Sequence, residues 1–94
     1  MLFLATNTHA SLDCPYIRPD GKSMIKRIFS DENIKRSKIK IVGAYVSCPK
    51  GTGEDHRNFF IVQADDAATV RKFFGSMSVD LRNVTPFNDI LKTL

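Results

Sequence analysis

Apolar and polar positions along this chain fall into short runs. Their period switches between two and about 3.6 residues, the pattern of strands alternating with helices. Residues 2–8 (LFLATNT) open on an apolar run and read as a strand. Residues 9–19 carry the turn signals Asp13-Cys14-Pro15 and, running on, Arg18-Pro19-Asp20-Gly21. Met24, Ile25, Ile28 and Phe29 then recur on one helical face, so a helix is expected to start between Pro19 and Lys22. Ser30 resembles an N-cap, and Asp31 and Glu32 suit a helix N-terminus, which predicts a fresh turn that buries Ile34 and closes over Arg36 to Lys38.

Residues 38–48 (KIKIVGAYVSC) give the clearest strand. Ile39 and Ile41 alternate with Lys38 and Lys40, and Gly43 marks a bulge or a close backbone approach. Beyond it Val42, Ala44 and Val46 are expected on one face, Tyr45 and Ser47 on the other. A polar loop is expected over residues 49–58, and a strand without a polar face over residues 59–64 (FFIVQA). Asp65 and Asp66 cap a helix over residues 67–74, whose apolar stripe is Ala67, Val70, Phe73 and Phe74, with Gly75 just past its end. Residues 79–86 read as the last strand and residues 87–94 as a short helical turn.

The order β-α-β-β-α-β predicts an α+β fold of ferredoxin-like topology, in one domain over residues 1–94. It is a four-stranded antiparallel sheet with two helices on one face. A sheet with one face in water alternates cleanly. Here Phe59, Phe60, Ile61 and Val62 cover both faces of the third strand, and the second strand is apolar on both from Val42 to Val46. A domain of 94 residues buries only about 60% of its unfolded surface and is marginal alone. A sheet-to-sheet homodimer or higher homo-oligomer is therefore expected to cover the helix-free face.

The segment Phe60-Ile61-Val62-Gln63-Ala64-Asp65-Asp66, a short helix after it, and then Val84-Thr85-Pro86-Phe87 resemble the second half of proteins in the dimeric α/β-barrel superfamily. The resemblance implies two ferredoxin-like domains packed sheet to sheet. It carries no catalytic motif onto this chain, because that superfamily spans cofactor-free monooxygenases, isomerases, haem-degrading enzymes and metal binders.

Composition narrows the setting. The chain is 43% apolar and 26% charged, an ordinary globular balance. No apolar run reaches the ~20 residues of a membrane helix, and the opening apolar residues lack a basic stretch before them, so they read as a strand and not a signal peptide. Two cysteines are too few for a disulfide scaffold, and a cytoplasmic setting with reduced thiols is expected. The net charge of +4 permits anionic partners. The densest basic stretch, Lys35-Arg36-Ser37-Lys38-Ile39-Lys40, suits either a nucleic-acid surface or an edge strand guarded by lysines.

The topology gathers the chemistry at one end. The first strand ends at His9, the second ends at Cys48, and the third starts after His56, so His9, Cys14, Cys48 and His56 are expected at the same end of the sheet. These are all the histidines and cysteines of the chain, and imidazole with thiolate suits zinc, copper(I) or nickel. Their spacings, His-x4-Cys and Cys-x7-His, match no finger or ribbon. A small organic ligand is a second expectation, in a pocket lined by Phe29, Tyr45 and Phe74 with His9 as acid or base. A third is an RNA-binding module of RRM type, with Phe3 and Phe59 as stacking rings on the first and third strands.

Overall fold

A computed structural model of the chain describes residues 1–47 and 55–94. Strand β1 spans Leu2–His9, helices α1 and α2 span Pro19–Ile28 and Asp31–Ser37, and strand β2 spans Lys40–Ser47. Strand β3 spans His56–Gln63, helix α3 Ala67–Phe74, strand β4 Asp80–Val84 and helix α4 Phe87–Leu91. The four strands form one antiparallel sheet in the order β2-β3-β1-β4, compatible with a ferredoxin-like fold. Among the described residues no helix is long and apolar enough to cross a membrane.

Local chemistry sets the helix boundaries. Pro19 opens α1, where its fixed φ suits a first helical turn. Ser30 separates α1 from α2 as an N-cap, its Oγ accepting from the Asn33 backbone N–H at 3.2 Å. Asp66 does the same for α3, accepting from the Thr69 N–H at 2.7 Å. Gly75 ends α3 at φ 61°, a conformation that favours glycine.

One face of the sheet packs on the helices. Phe3 and Ala5 of β1, Phe60 and Val62 of β3, and Ile39 just before β2 meet Ile28 of α1 and Val70, Phe73 and Phe74 of α3. Phe29 stacks on Phe60 with ring centroids 4.9 Å apart and meets Phe73 and Phe74 edge-on. The other face carries Leu2, Leu4, Val42, Ile61 and Val84 around an open apolar groove. The molecule is 18 Å thin along its shortest axis, the depth of one helix layer on one sheet.

Several sequence expectations change here. β3 begins at His56, earlier than expected, because His56 and Asn58 are buried and continue the inward alternation of Phe60 and Val62. The bulge in β2 is present: Ile41 pairs with Val62 and Gly43 with Ile61, leaving Val42 as the extra residue. Val42 therefore lines the helix-free face, not the face shared by Ala44 and Val46. The pocket expected among Phe29, Tyr45 and Phe74 does not form. Phe29 and Phe74 are packed into the aromatic core, whereas Tyr45 pairs with Phe59 on the opposite face and is 64% exposed. Phe3 and Phe59 likewise sit on opposite faces, and Phe3, 3% exposed under the helices, offers no ring for a base to stack on.

Lys38 caps the C-terminus of α2 with φ 56° and ψ 42°, a left-handed conformation that penalises a Cβ. Lys38→Gly is expected to raise the unfolding free energy by about 0.5–1 kcal/mol, the relief of strain outweighing the added freedom of the unfolded chain. Urea denaturation checks this, and an unchanged or lower midpoint would refute it.

Candidate metal centre

Alternation along β1 and β3 builds the site. On the helix-facing side the two strands pair Phe3 with Val62, Ala5 with Phe60, Asn7 with Asn58 and His9 with His56. The first two rungs are apolar and belong to the core. The last two are polar, and Asn7, Asn58 and His56 are all buried. The rings of His9 and His56 meet edge-on, 5.4 Å between centroids.

The loop after β1 brings in the third residue. Asp13 N–H bonds to the Ala10 carbonyl at 2.9 Å, and Ile17 N–H to the Cys14 carbonyl at 3.2 Å, folding the segment back on itself. Tyr16 anchors it to the sheet, its hydroxyl donating to Asn58 Oδ1 at 2.9 Å. The first turn of α1 presses on the same loop: a Cβ at Gly21 would sit 2.5 Å from Pro15 Cα. Arg18 lies 3.5 Å from both Asp13 and Asp20, exposed ion pairs of small weight. Cys14 is consequently buried as a free thiol. His9, Cys14 and His56 each offer a ligand atom, all within 4.8 Å of one another.

The hydrogen bonds decide which imidazole nitrogen of His9 is available. Asn7 Nδ2 donates to the Ser78 carbonyl at 2.8 Å, so Asn7 Oδ1 must be the acceptor at its other end. That oxygen takes Asn58 Nδ2 at 3.1 Å and His9 Nδ1 at 2.9 Å. The His9 ring therefore carries its proton on Nδ1, and Nε2 presents a lone pair. Among the described residues, both His9 Nε2 and His56 Nδ1 are buried without a hydrogen-bond partner. An unpaired buried polar atom costs about 1–3 kcal/mol, and both stand beside the Cys14 thiol.

Electrostatics favour the neutral imidazole. Burial and the neighbouring His56 hold the His9 pKa below 6.5, and Asp13 and Asp55 oppose this only in part. Neutral imidazole and thiolate are the forms that bind metal. Ligand atoms around a tetrahedral zinc stand about 3.3–3.7 Å apart, given bonds of about 2.0–2.3 Å, so the trio closes on an ion with side-chain shifts of about 1 Å.

Of the residues expected here, three come together: His9, Cys14 and His56. Cys48 lies outside the described residues. Asn7, Asn58 and Tyr16 went unnoticed in the sequence. Asn7 and Asn58 were detectable, because they occupy inward positions of two strands whose neighbours two residues away are apolar. The hollow beside His9, bordered by Asn7, Asp13, Met24 and Met77, is about 180 Å³. That is smaller than the ~300–1,000 Å³ typical of sites for organic ligands. A larger polar groove of about 520 Å³ lies between α2 and α3, lined by Asn33, Arg36, Ser37, Thr69 and Lys72, and holds none of these groups.

Two measurements check this geometry in metal-free protein. The His9 ring is expected to titrate below 6.5 by NMR. The sign follows from the lowered value: below about pH 6.5 the unfolded chain takes up a proton that the folded ring resists, so stability is lost as pH is lowered there, and His9→Gln flattens that slope. A ring titrating at or above 6.5 would contradict the burial of Nε2. Gly21→Ala is expected to destabilise the fold by about 1–3 kcal/mol and to speed modification of Cys14 by a thiol reagent, since the added methyl meets backbone. An unchanged labelling rate in a Cys48→Ser background would count against that packing.

No protein-family model, no curated protein and no solved structure matches this chain, so the functional reading rests on the fold and the side-chain geometry.

Proposed function

We propose that this chain is a metal-binding domain of ferredoxin-like topology, holding one zinc, copper(I) or nickel ion through His9 Nε2, His56 Nδ1 and Cys14 Sγ. The observation that supports it is the pair of buried imidazole nitrogens, without partners among the described residues, beside a buried thiol. Two imidazoles and one thiolate form a borderline-to-soft donor set, which suits these ions over magnesium or calcium. Three protein ligands leave one tetrahedral position for water, a small ligand or a fourth side chain. Asn7 then acts on the metal through His9, fixing the tautomer and aiming Nε2.

The test is equilibrium dialysis of the purified protein against zinc, with elemental analysis and, in parallel, cobalt(II) absorption. One ion per chain is expected, with a thiolate-to-cobalt charge-transfer band. Cys14→Ser should remove the band, and His9→Gln or His56→Gln should abolish stoichiometric binding. Cys48→Ser separates a three-residue site from one completed by a second thiol. Asn7→Ala is expected to weaken zinc binding about 10–100-fold while Asn7→Asp, which keeps the acceptor, recovers part of it. Failure to retain zinc at micromolar concentration, or retention that survives loss of both Cys14 and His9, would sink the proposal.

A second reading concerns assembly. The helix-free face, with its groove of Leu2, Leu4, Val42, Ile61 and Val84, supports a sheet-to-sheet homodimer of the dimeric α/β-barrel kind. Sedimentation at micromolar protein checks it, with a mass twice 10.6 kDa expected.

A further inference from the structure

After β4 the chain turns at Pro86 into α4, and this short helix carries its apolar residues on one side only. Phe87, Ile90 and Leu91 recur at i, i+3 and i+4, the spacing of a single helical face, and Leu94 follows in the turn after the helix. Asp89 and Lys92 lie between them, 3.9 Å apart, and form the polar side. Much of this apolar surface is left exposed: Phe87 is 71% exposed, Ile90 45%, Leu91 48% and Leu94 92%. None of them belongs to the core or to the side chains packed against it. An amphipathic helix in this state has a docking face without its counterpart.

The same chain presents the matching surface. The apolar groove on the helix-free side of the sheet is bordered by Val84, Thr85 and Pro86, the residues immediately before α4. The helix therefore starts at the rim of the groove. Area separates the two ways of covering them. Four strands about 4.8 Å apart, over about six residues of about 3.3 Å rise, make a face of roughly 400 Å². Two such faces give roughly 800 Å², short of the ~1,200 Å² at which specific dimers begin. Four large apolar side chains of roughly 60–100 Å² each, added from both copies, close that gap. An isologous two-fold contact uses every part twice, which suits a patch and a stripe that share a border.

We propose that α4 and the turn after it form a dimerisation arm, Phe87, Ile90 and Leu91 of the helix and Leu94 beyond it seated over the apolar groove of a second copy of this chain. This rests on the sheet-to-sheet reading above and extends it, assigning to α4 the part of the interface that the sheet faces lack. The stripe closes the rim of the partner's groove beside Val84 and Pro86, while Asp89 and Lys92 stay in water.

The experiment is sedimentation equilibrium of the full chain beside its Phe87→Glu and Leu91→Glu variants, with circular dichroism to show that each remains folded. Both positions are exposed, so a charge there leaves the protomer core intact. The expected result is a dimer for the parent chain and at least a tenfold weaker dimer for each variant. A parent dimer that neither variant weakens overturns the arm and leaves the sheet-to-sheet contact standing. A parent chain that is monomeric up to 100 µM overturns both, and α4 then covers nothing in a second copy.

Discussion

The register between β1 and β3 is the constraint on which the rest of this structure depends. The two central strands pair from Leu2 opposite Gln63 to His9 opposite His56, and every inward-facing rung joins two residues of similar polarity. Phe3 with Val62 and Ala5 with Phe60 give the helices an apolar floor. Asn7 with Asn58 gives a buried amide pair, and His9 with His56 an imidazole pair. A slip of one residue would turn one strand's amide and imidazole to the other face together with its apolar rungs, so burial of the core and assembly of the polar end are specified by the same event.

The polar end is stable because its hydrogen bonds form a chain with few loose ends. Tyr16 donates to Asn58, Asn58 to Asn7, and Asn7 to the Ser78 carbonyl, tying the loop after β1, the two central strands and the approach to β4 into one network. Buried amides are tolerated at this density only when they are satisfied. The network ends at His9, where one nitrogen is bonded and the other is not. Among the described residues, His9 Nε2 and His56 Nδ1 are left unpaired there, beside the Cys14 thiol.

Much of the fold was legible because it is local. Caps at Ser30 and Asp66, the glycine after α3 and the apolar stripes of α1 and α3 are short-range signals, and each element appears where its signal lies. The convergence of His9, Cys14 and His56 at one end of the sheet followed from strand direction alone. The aromatic pocket was not legible, because placing Tyr45 relative to Phe29 and Phe74 requires the face of β2, and the bulge at Val42 resets the phase of that strand. The amides escaped notice for a different reason. Asn58 was assigned to a polar loop on composition, whereas cross-strand pairing to Asn7 draws it into β3. Tyr16 contacts Asn58 across 42 positions of sequence, a separation that no window of periodicity covers.

The position of the site also bears on what it can do. His9 and His56 stand on two adjacent strands of a sheet, rigid elements whose separation is set by backbone pairing, whereas Cys14 arrives on a loop. A site with two fixed ligands and one on a loop closes by moving the loop, and here the loop is held by Tyr16 at one point and by the Pro15–Gly21 contact at another. The thiol is therefore the adjustable member, and small changes in its loop alter the site without disturbing the sheet. A general base would ask for the reverse arrangement: a lone pair open to a substrate-sized cavity, with the fixed groups behind it. His9 Nε2 is buried, and the hollow beside it is about 180 Å³. The three donor atoms are close together, and the hollow beside them is small for an organic substrate.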